Sequence, residues 1–342
     1  MSRNKLYAID LFSGCGGLSE GLRHAGFKVI AGVEVNKNAA KAYRMNHAET
    51  VLFEDDIRKL DTSKILKLLK GSPLHLLAGC PPCQGFSSLR RLNRKSAVRD
   101  ERNSLLGEYY RFVEELNPLT IMLENVSGIV DYTLFKAIIK KLIKSGYNID
   151  YKIVNVADYS VPQRRKRLVL VGSKLCKIEI AKGANTITTV KDAFKNLKKN
   201  NKEDELHEIY PKHTEQVQKM ISLIPKNGGS RKNLPERYKL ECHKKKNIGF
   251  NDVYGRLNWN TVSSTITGGC LNPSKGRFLH PEEDRCISAR EAALLQTFPI
   301  DYSFPTDIPR AELALLIGNA LPPEFSRIQA KNIYHHIEKC YG

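Results

Sequence analysis

The first 172 residues alternate short apolar runs with amphipathic stretches, and no other feature of the chain constrains its fold as tightly. The β-leaning apolar runs are Tyr7–Phe12, Lys28–Val35, Leu74–Ala78, Thr120–Leu123, Tyr151–Val156 and Arg167–Val171. Between several of them lie stretches with helical spacing: Leu18–Ala25, Asn38–Asn46, Leu105–Leu116 and Leu134–Ser145. Strand–helix alternation of this kind predicts an α/β fold, a parallel sheet with helices on both faces. Such sheets bind ligands at the carboxyl ends of their strands. The glycines and odd polar residues of this chain cluster at those ends.

From about Lys174 the character changes. Lys174–Phe250 is lysine-rich, carries the run His243-Lys244-Lys245-Lys246 and the turn-forming Gly228-Gly229, and has little periodicity. Between Lys174 and Lys246 there are 18 basic and 9 acidic residues, a local charge of +9 that predicts a smaller, loop-rich domain. Helical patterns return after His280, at Ser288–Gln296, Arg310–Ile317 and Pro323–Lys339.

Composition bounds the function classes. With 41% hydrophobic residues in 342, the chain can bury a core, which excludes wholesale disorder. No apolar run approaches the roughly 18 residues needed to cross a bilayer, and Leu6–Ile9 is too short for a signal-peptide core, so no membrane partner is expected. Eight widely spaced cysteines do not form a disulfide framework in a chain this long, which points to a reducing, intracellular compartment. The net charge of +19 points to a polyanion, most simply nucleic acid, with a solvated lysine-rich surface as the alternative.

Asp10-Leu11-Phe12-Ser13-Gly14-Cys15-Gly16-Gly17 closes the first run and opens a helix. Glycines at such a turn let the backbone approach a ligand closely. The spacing is not the dinucleotide G-x-G-x-x-G, because Gly17 follows Gly16 directly. Glu34 ends the second run, where a carboxylate can accept from ribose hydroxyls. Asp55-Asp56, beyond a short third strand near Phe53, stands where it could read an adenine amino group. A glycine turn with two strand-end acids suits a nucleoside; an ordinary turn with helix-capping acids is the other reading.

Gly79-Cys80-Pro81-Pro82-Cys83-Gln84-Gly85-Phe86-Ser87 is sharper. Its C-x-x-C spacing admits a zinc half-site or a redox pair. With no second C-x-x-C or H-x-x-x-H, and with Cys176, Cys242, Cys270 and Cys286 scattered, no metal site is expected. The competing reading makes Cys83 a nucleophile on a proline-stiffened turn, its thiolate favoured by nearby cations. Ser88–Asn103 then holds Arg90, Arg91, Arg94, Lys95, Arg99 and Arg102, a basic loop able to close on a phosphate backbone or simply to face solvent. Glu124 ends the next strand on the same rim, as a general acid or a helix cap. In Gln163-Arg164-Arg165-Lys166-Arg167, strand alternation would point Arg165 and Arg167 together at a substrate oxygen or phosphate.

In this order the segments resemble the C5-cytosine DNA methyltransferases over nearly the whole chain except its variable middle. The resemblance implies a Rossmann-like class I methyltransferase fold with a mixed, mostly parallel sheet, plus a smaller loop-rich target-recognition domain. It implies a catalytic and cofactor-binding domain over 1–174, target recognition over 175–280, and C-terminal helices over 281–342, the last returning to complete the catalytic domain. The cofactor would be S-adenosyl-L-methionine, leaving as S-adenosyl-L-homocysteine. Phe12, Ser13, Gly14, Cys15, Gly16, Gly17, Glu34, Val35, Asp56, Ile57, Pro82, Leu105, Asn319 and Ala320 would line its site. Val35 stands where some relatives place an aromatic. Arg102-Asn103-Ser104-Leu105, Arg290–Pro299 and Gly318–Pro323 complete the series of motifs.

The resemblance makes Cys83, Glu124, Arg165 and Arg167 catalytic, acting on a cytosine flipped from double-stranded DNA. Gln84, Ser87, Arg90, Arg91, Gln163, Arg256 and Thr265 are then expected at DNA, with Arg231, Lys232, Arg237, Arg256 and Asn258 as base-reading candidates by residue type alone, each equally a phosphate contact or a solvated residue. It further implies a monomer in the bacterial cytoplasm, associated with the nucleoid, and a cognate restriction endonuclease acting separately. A tRNA-directed relative and a catalytically silent DNA-binding protein are the alternatives.

Overall fold

In the computed structural model, which describes residues 5–82, 105–184, 186–195, 197, 204–239 and 252–341, each apolar run becomes a strand. These are β1 (Tyr7–Leu11), β2 (Lys28–Val33), β4 (Leu76–Gly79), β5 (Thr120–Val126), β6 (Asn148–Asn155) and β7 (Lys166–Ser173), with the short β3 (Val51–Phe53) between β2 and β4. They form one sheet in the order β3-β2-β1-β4-β5-β7-β6. The first five are parallel, whereas β7 runs antiparallel to both β5 and β6. The α/β fold with a mixed, mostly parallel sheet is therefore as expected. Because β7 is reversed, its first residues lie beside the last residues of β5, with Arg167 opposite Val126.

The period of two in β1 shows why helices cover both faces. Ile9 and Leu11 join an apolar cluster with Ile65 and Leu69 of α3 (Ser63–Leu69), Tyr109 and Phe112 of α4 (Leu105–Leu116), and Phe135 and Ile138 of α5 (Thr133–Lys144). Asp10, on the other face, meets α1 (Gly17–Ala25) through Ser19. Ser19 in turn bonds Tyr43 of α2 (Lys37–Asn46). The last helix, α11 (Pro323–Tyr341), packs along α1. At their closest approach a Cβ on Gly21 would fall 2.3 Å from Ser326 Cβ, so only glycine admits this crossing.

The chain divides into two compact units. One comprises residues 1–159, 166–184 and 321–342 and contains the sheet; the other comprises 160–165 and 185–320. The second unit is loop-rich. Its helices are α6 (Val190–Phe194), α7 (Glu205–Glu208), α8 (Glu215–Ser222), α9 (Ala289–Leu295) and α10 (Arg310–Asn319), and its described residues form isolated β-bridges rather than strands. A small core of Met220, Ile221, Ile224, Leu234, Tyr254 and Leu279 holds part of it together.

The cysteines depart from expectation in one respect. Cys176 and Cys340 are joined by a disulfide between the segment after β7 and the end of α11. Their separation of 164 residues leaves no trace in the local spacing. No helix among the described residues is long and apolar enough to cross a membrane.

Candidate active site

The carboxyl ends of the parallel strands carry the predicted cofactor residues. After β1 the backbone turns through Phe12 (φ 60°), Gly14 (φ 56°) and Gly16 (φ 96°) before α1 begins at Gly17. A phenylalanine in the left-handed region is strained. Ser13 pins the turn to β2: its hydroxyl donates to Asp10 O at 2.7 Å and accepts from Val33 N at 3.0 Å. The Cys15 thiol is sealed in the interior and pushed up to about 12 by burial, so it is packing rather than chemistry.

Glu34 accepts from Gly14 N at 2.8 Å and from Asn36 N at 2.7 Å, and burial raises its pKa. Beside it Val35 is 66% exposed, an apolar side chain turned to solvent at the rim. Asp56 is held by Arg58 at 2.6 Å, and that hydrogen bond keeps its carboxyl below the usual range. Ile57 is buried. Leu105 opens α4 and packs against the main core.

The catalytic rim is built from β4, β5 and β7. Glu124 and Arg167 are diagonal neighbours on one face of the β5–β7 ladder. Arg167 Nε lies 2.8 Å from Glu124 Oε1, and both side chains are mostly buried. That contact is an ion pair without hydrogen-bond alignment, since Oε1 meets no aligned donor among the described residues. The carboxylate oxygen thus keeps hydrogen-bonding capacity for another group.

Asn125, buried next to Glu124, donates from Nδ2 to Pro81 O at 2.9 Å, while its Oδ1 accepts from Val126 N at 2.8 Å. The side chain therefore ties the turn leading into Cys83 to the strand that carries Glu124. Sequence reading assigned Asn125 no role, and its position beside a strand-end acid was the available signal. Pro82 is described and half-buried. Cys83, Gln84, Ser87, Arg90 and Arg91 lie outside the described residues.

Three residues expected at DNA or substrate are used inside the second unit instead. Gln163 is fully buried; its amide donates to Leu295 O at 3.1 Å and Gln296 Oε1 at 2.6 Å and accepts from Ile266 N at 3.1 Å. Arg165 precedes β7, so strand alternation does not pair it with Arg167. Its guanidinium donates to Ile266 O at 3.1 Å and Gly318 O at 2.9 Å. Arg256 is 0% exposed and donates to the carbonyls of Ile221, Ile224, His280 and Glu283 and to the Asp284 carboxylate. Arg256, expected at DNA, is thus enclosed and gives its donors to acceptors of the protein itself. Gln163 and Arg165 are buried likewise, and their contacts support the Ser263–Thr267 segment. Thr265 is half-buried and its hydroxyl donates to Arg164 O at 2.6 Å. Asn319, exposed, ends α10, and Ala320 caps it.

A glycine turn, strand-end acids and a buried Glu–Arg pair at the carboxyl rim of this sheet define a nucleoside-binding α/β transferase. The family description C-5 cytosine-specific DNA methylase matches residues 6–335. The Type II methylase M.HgiDII of Herpetosiphon aurantiacus is 35% identical over 344 residues, 96% of this chain and 95% of its own. The Type II methyltransferase M1.HphI of Haemophilus parahaemolyticus is 30% identical, covering 95% of this chain and 86% of its own. Among solved structures, a prophage-encoded E. coli protein assigned as a DNA modification methyltransferase superposes with a TM-score of 0.74 at 27% identity, covering 98% of this chain and all of its own. The chain belongs to the C-5 cytosine-specific DNA methylases. It is a DNA (cytosine-5)-methyltransferase, and its methyl donor is S-adenosyl-L-methionine.

The rim fits that donor. A Cβ on Gly14 would meet nothing within 4 Å, so the space before the turn is open. The open glycine turn, a carboxylate at Glu34 and an exposed apolar Val35 suit the ribose and base of such a ligand.

Proposed function

We propose that this methyltransferase modifies a cytosine flipped out of duplex DNA at a defined sequence, with Cys83 as nucleophile and Glu124 and Arg167 acting on the base. The observation that carries this reading is the buried Glu124–Arg167 pair, 2.8 Å apart, with Asn125 holding the carbonyl two residues before Cys83. C5 of cytosine is a poor nucleophile and must be activated. The Cys83 thiolate adds to C6, breaking the C5–C6 double bond, while Glu124 delivers a proton or hydrogen bond to N3. The ring becomes an enamine, nucleophilic at C5. Arg167 holds the exocyclic O2 and keeps Glu124 in place, stabilising the added state. S-adenosyl-L-methionine supplies the electrophilic methyl group. A base then takes the C5 proton, the double bond re-forms, and Cys83 leaves as thiolate.

A target carbon inside a duplex is out of reach, so the base must leave the stack. The glycine turn, Glu34, Val35, Asp56 and Ile57 are the residues that would hold the cofactor, with Phe12 strained into position against the adenine. Pro82 and Leu105 flank that site in sequence. Residues 1–174 are assigned to catalysis, completed by the last of the C-terminal helices in 281–342, and 175–280 to target recognition, where Thr265 and the lysine-rich segment would meet backbone phosphates. Gln84, Ser87, Arg90 and Arg91 would contact DNA beside the nucleophile. The names of the Type II relatives support a separate restriction endonuclease as partner; the methyltransferase would act as a monomer on cytoplasmic DNA. Transfer of labelled methyl groups is expected into duplex DNA at one recurring sequence, located by bisulfite sequencing. Labelling of tRNA alone would overturn the reading.

A further inference from the structure

Away from the catalytic rim, three side chains that sequence spacing had left scattered converge. His336 and Cys340 stand four residues apart on α11 and so share a face. Cys176, in the segment after β7, meets them there: the ligand-capable atoms of Cys176, His336 and Cys340 all lie within 4.8 Å of one another. The histidine is held beside the cysteines. Its Nε2 is 2.7 Å from Ser173 Oγ, and its Nδ1 is 3.8 Å from Cys176 Sγ.

A metal-bound histidine nearly always gives its other ring nitrogen to such a partner, which fixes the tautomer and aims the bare nitrogen at the ion. A tetrahedral zinc ion with bonds of about 2.3 Å to sulfur and about 2.0 Å to nitrogen holds the two ligand atoms roughly 3.6 Å apart. The Nδ1–sulfur separation is near that distance, and because Nε2 lies 4.0 Å from the same sulfur the imidazole turns to aim Nδ1 at the ion as the disulfide opens. All three residues are half-buried, so an ion can enter and a water can fill a fourth position.

We propose that Cys176, His336 and Cys340 form a zinc site in the reduced protein, and that the Cys176–Cys340 disulfide is the oxidised, metal-free state of the same cluster. The interconversion balances. A dithiol reductant gives two electrons and two protons to the S–S bond and leaves as its own disulfide. Zn²⁺ then displaces the two thiol protons and takes Nδ1 of His336. In either state the cluster clamps the end of α11 to the segment beyond β7, and α11 is the helix that packs against α1 behind the cofactor turn. Its function is structural and separate from Cys80 and Cys83.

The test uses the full-length chain, reduced with a dithiol, freed of it without oxygen, and titrated with Co²⁺ or Zn²⁺ alone. One equivalent of Co²⁺ is expected to give tetrahedral d–d bands and thiolate-to-cobalt charge-transfer absorption, and Zn²⁺ to displace it and raise the melting temperature. The cobalt signal should be lost in Cys340→Ser, survive in Cys80→Ser, and weaken about tenfold or more in affinity in Ser173→Ala, which keeps all three ligands. Retained methyl transfer by Cys340→Ser would establish that the variant is folded. A reduced chain that takes up no metal, or uptake unchanged by both Cys340→Ser and Ser173→Ala, would overturn the proposal and leave the pair as a disulfide alone.

Discussion

Asp10 shows how one buried group can set the pH response of the cofactor turn. Its carboxyl is fully enclosed, accepts from Ser19 Oγ at 2.7 Å, and has no partner for Oδ1 among the described residues. Burial raises its pKa from 3.8 to about 7, opposed by the Ser19 hydrogen bond and reinforced by Glu34. A raised folded-state pKa means that the protonated form is favoured in the fold. Its stabilising contribution is present in full below about pH 4 and is lost as the pH rises through about 7. Denaturant unfolding should therefore show wild type losing stability relative to Asp10→Asn across that window, by on the order of 4 kcal/mol in all. Parallel curves would sink this assignment. The sequence made the position of Glu34 and Glu124 legible, because an acid at the end of an apolar run has few other reasons to be there. It did not reveal the destinations of the donors of Arg165, since the acceptors Ile266 and Gly318 lie 101 and 153 residues away.

At the scale of elements, periodicity carried most of the fold. Six apolar runs became strands; in the inner ones aliphatic residues buried on both faces have few alternatives, whereas the edge strand β6 leaves Tyr151 and Ile153 exposed. The reversal of β7 was not legible: strand direction depends on which neighbour covers an edge, which no local pattern states. Nor was the enclosure of Arg256, whose side chain type suggested DNA. Replacing it with methionine removes five hydrogen-bonded acceptors' partner at once. Arg256→Met should lower stability by about 3–5 kcal/mol, read as a fall in the urea midpoint. A variant of unchanged stability whose DNA binding had lost about one unit of salt slope would instead restore Arg256 to the DNA surface.

For the whole molecule, the charge of +19 is best understood as several groups with different tasks. Arg165 and Arg256 are internal fasteners and Arg167 serves Glu124, so phosphate contact is left to the lysine-rich middle and the Ser88–Asn103 segment. If six or more phosphates are met this way, affinity for duplex DNA should fall roughly a thousandfold or more between about 50 and 200 mM salt. Binding that hardly changes over that range would contradict the assignment. Charge is expected to bring the chain to DNA, the proposed chemistry rests on Cys83, and one measurement addresses it most directly. DNA carrying 5-fluorocytosine at the target blocks the last step, because fluorine replaces the C5 proton that must leave. With S-adenosyl-L-methionine present, wild type should form a denaturant-resistant protein–DNA adduct, and Cys83→Ser should form none. Methylation of ordinary DNA by Cys83→Ser at the wild-type rate, or an adduct that persists in that variant, would contradict the account.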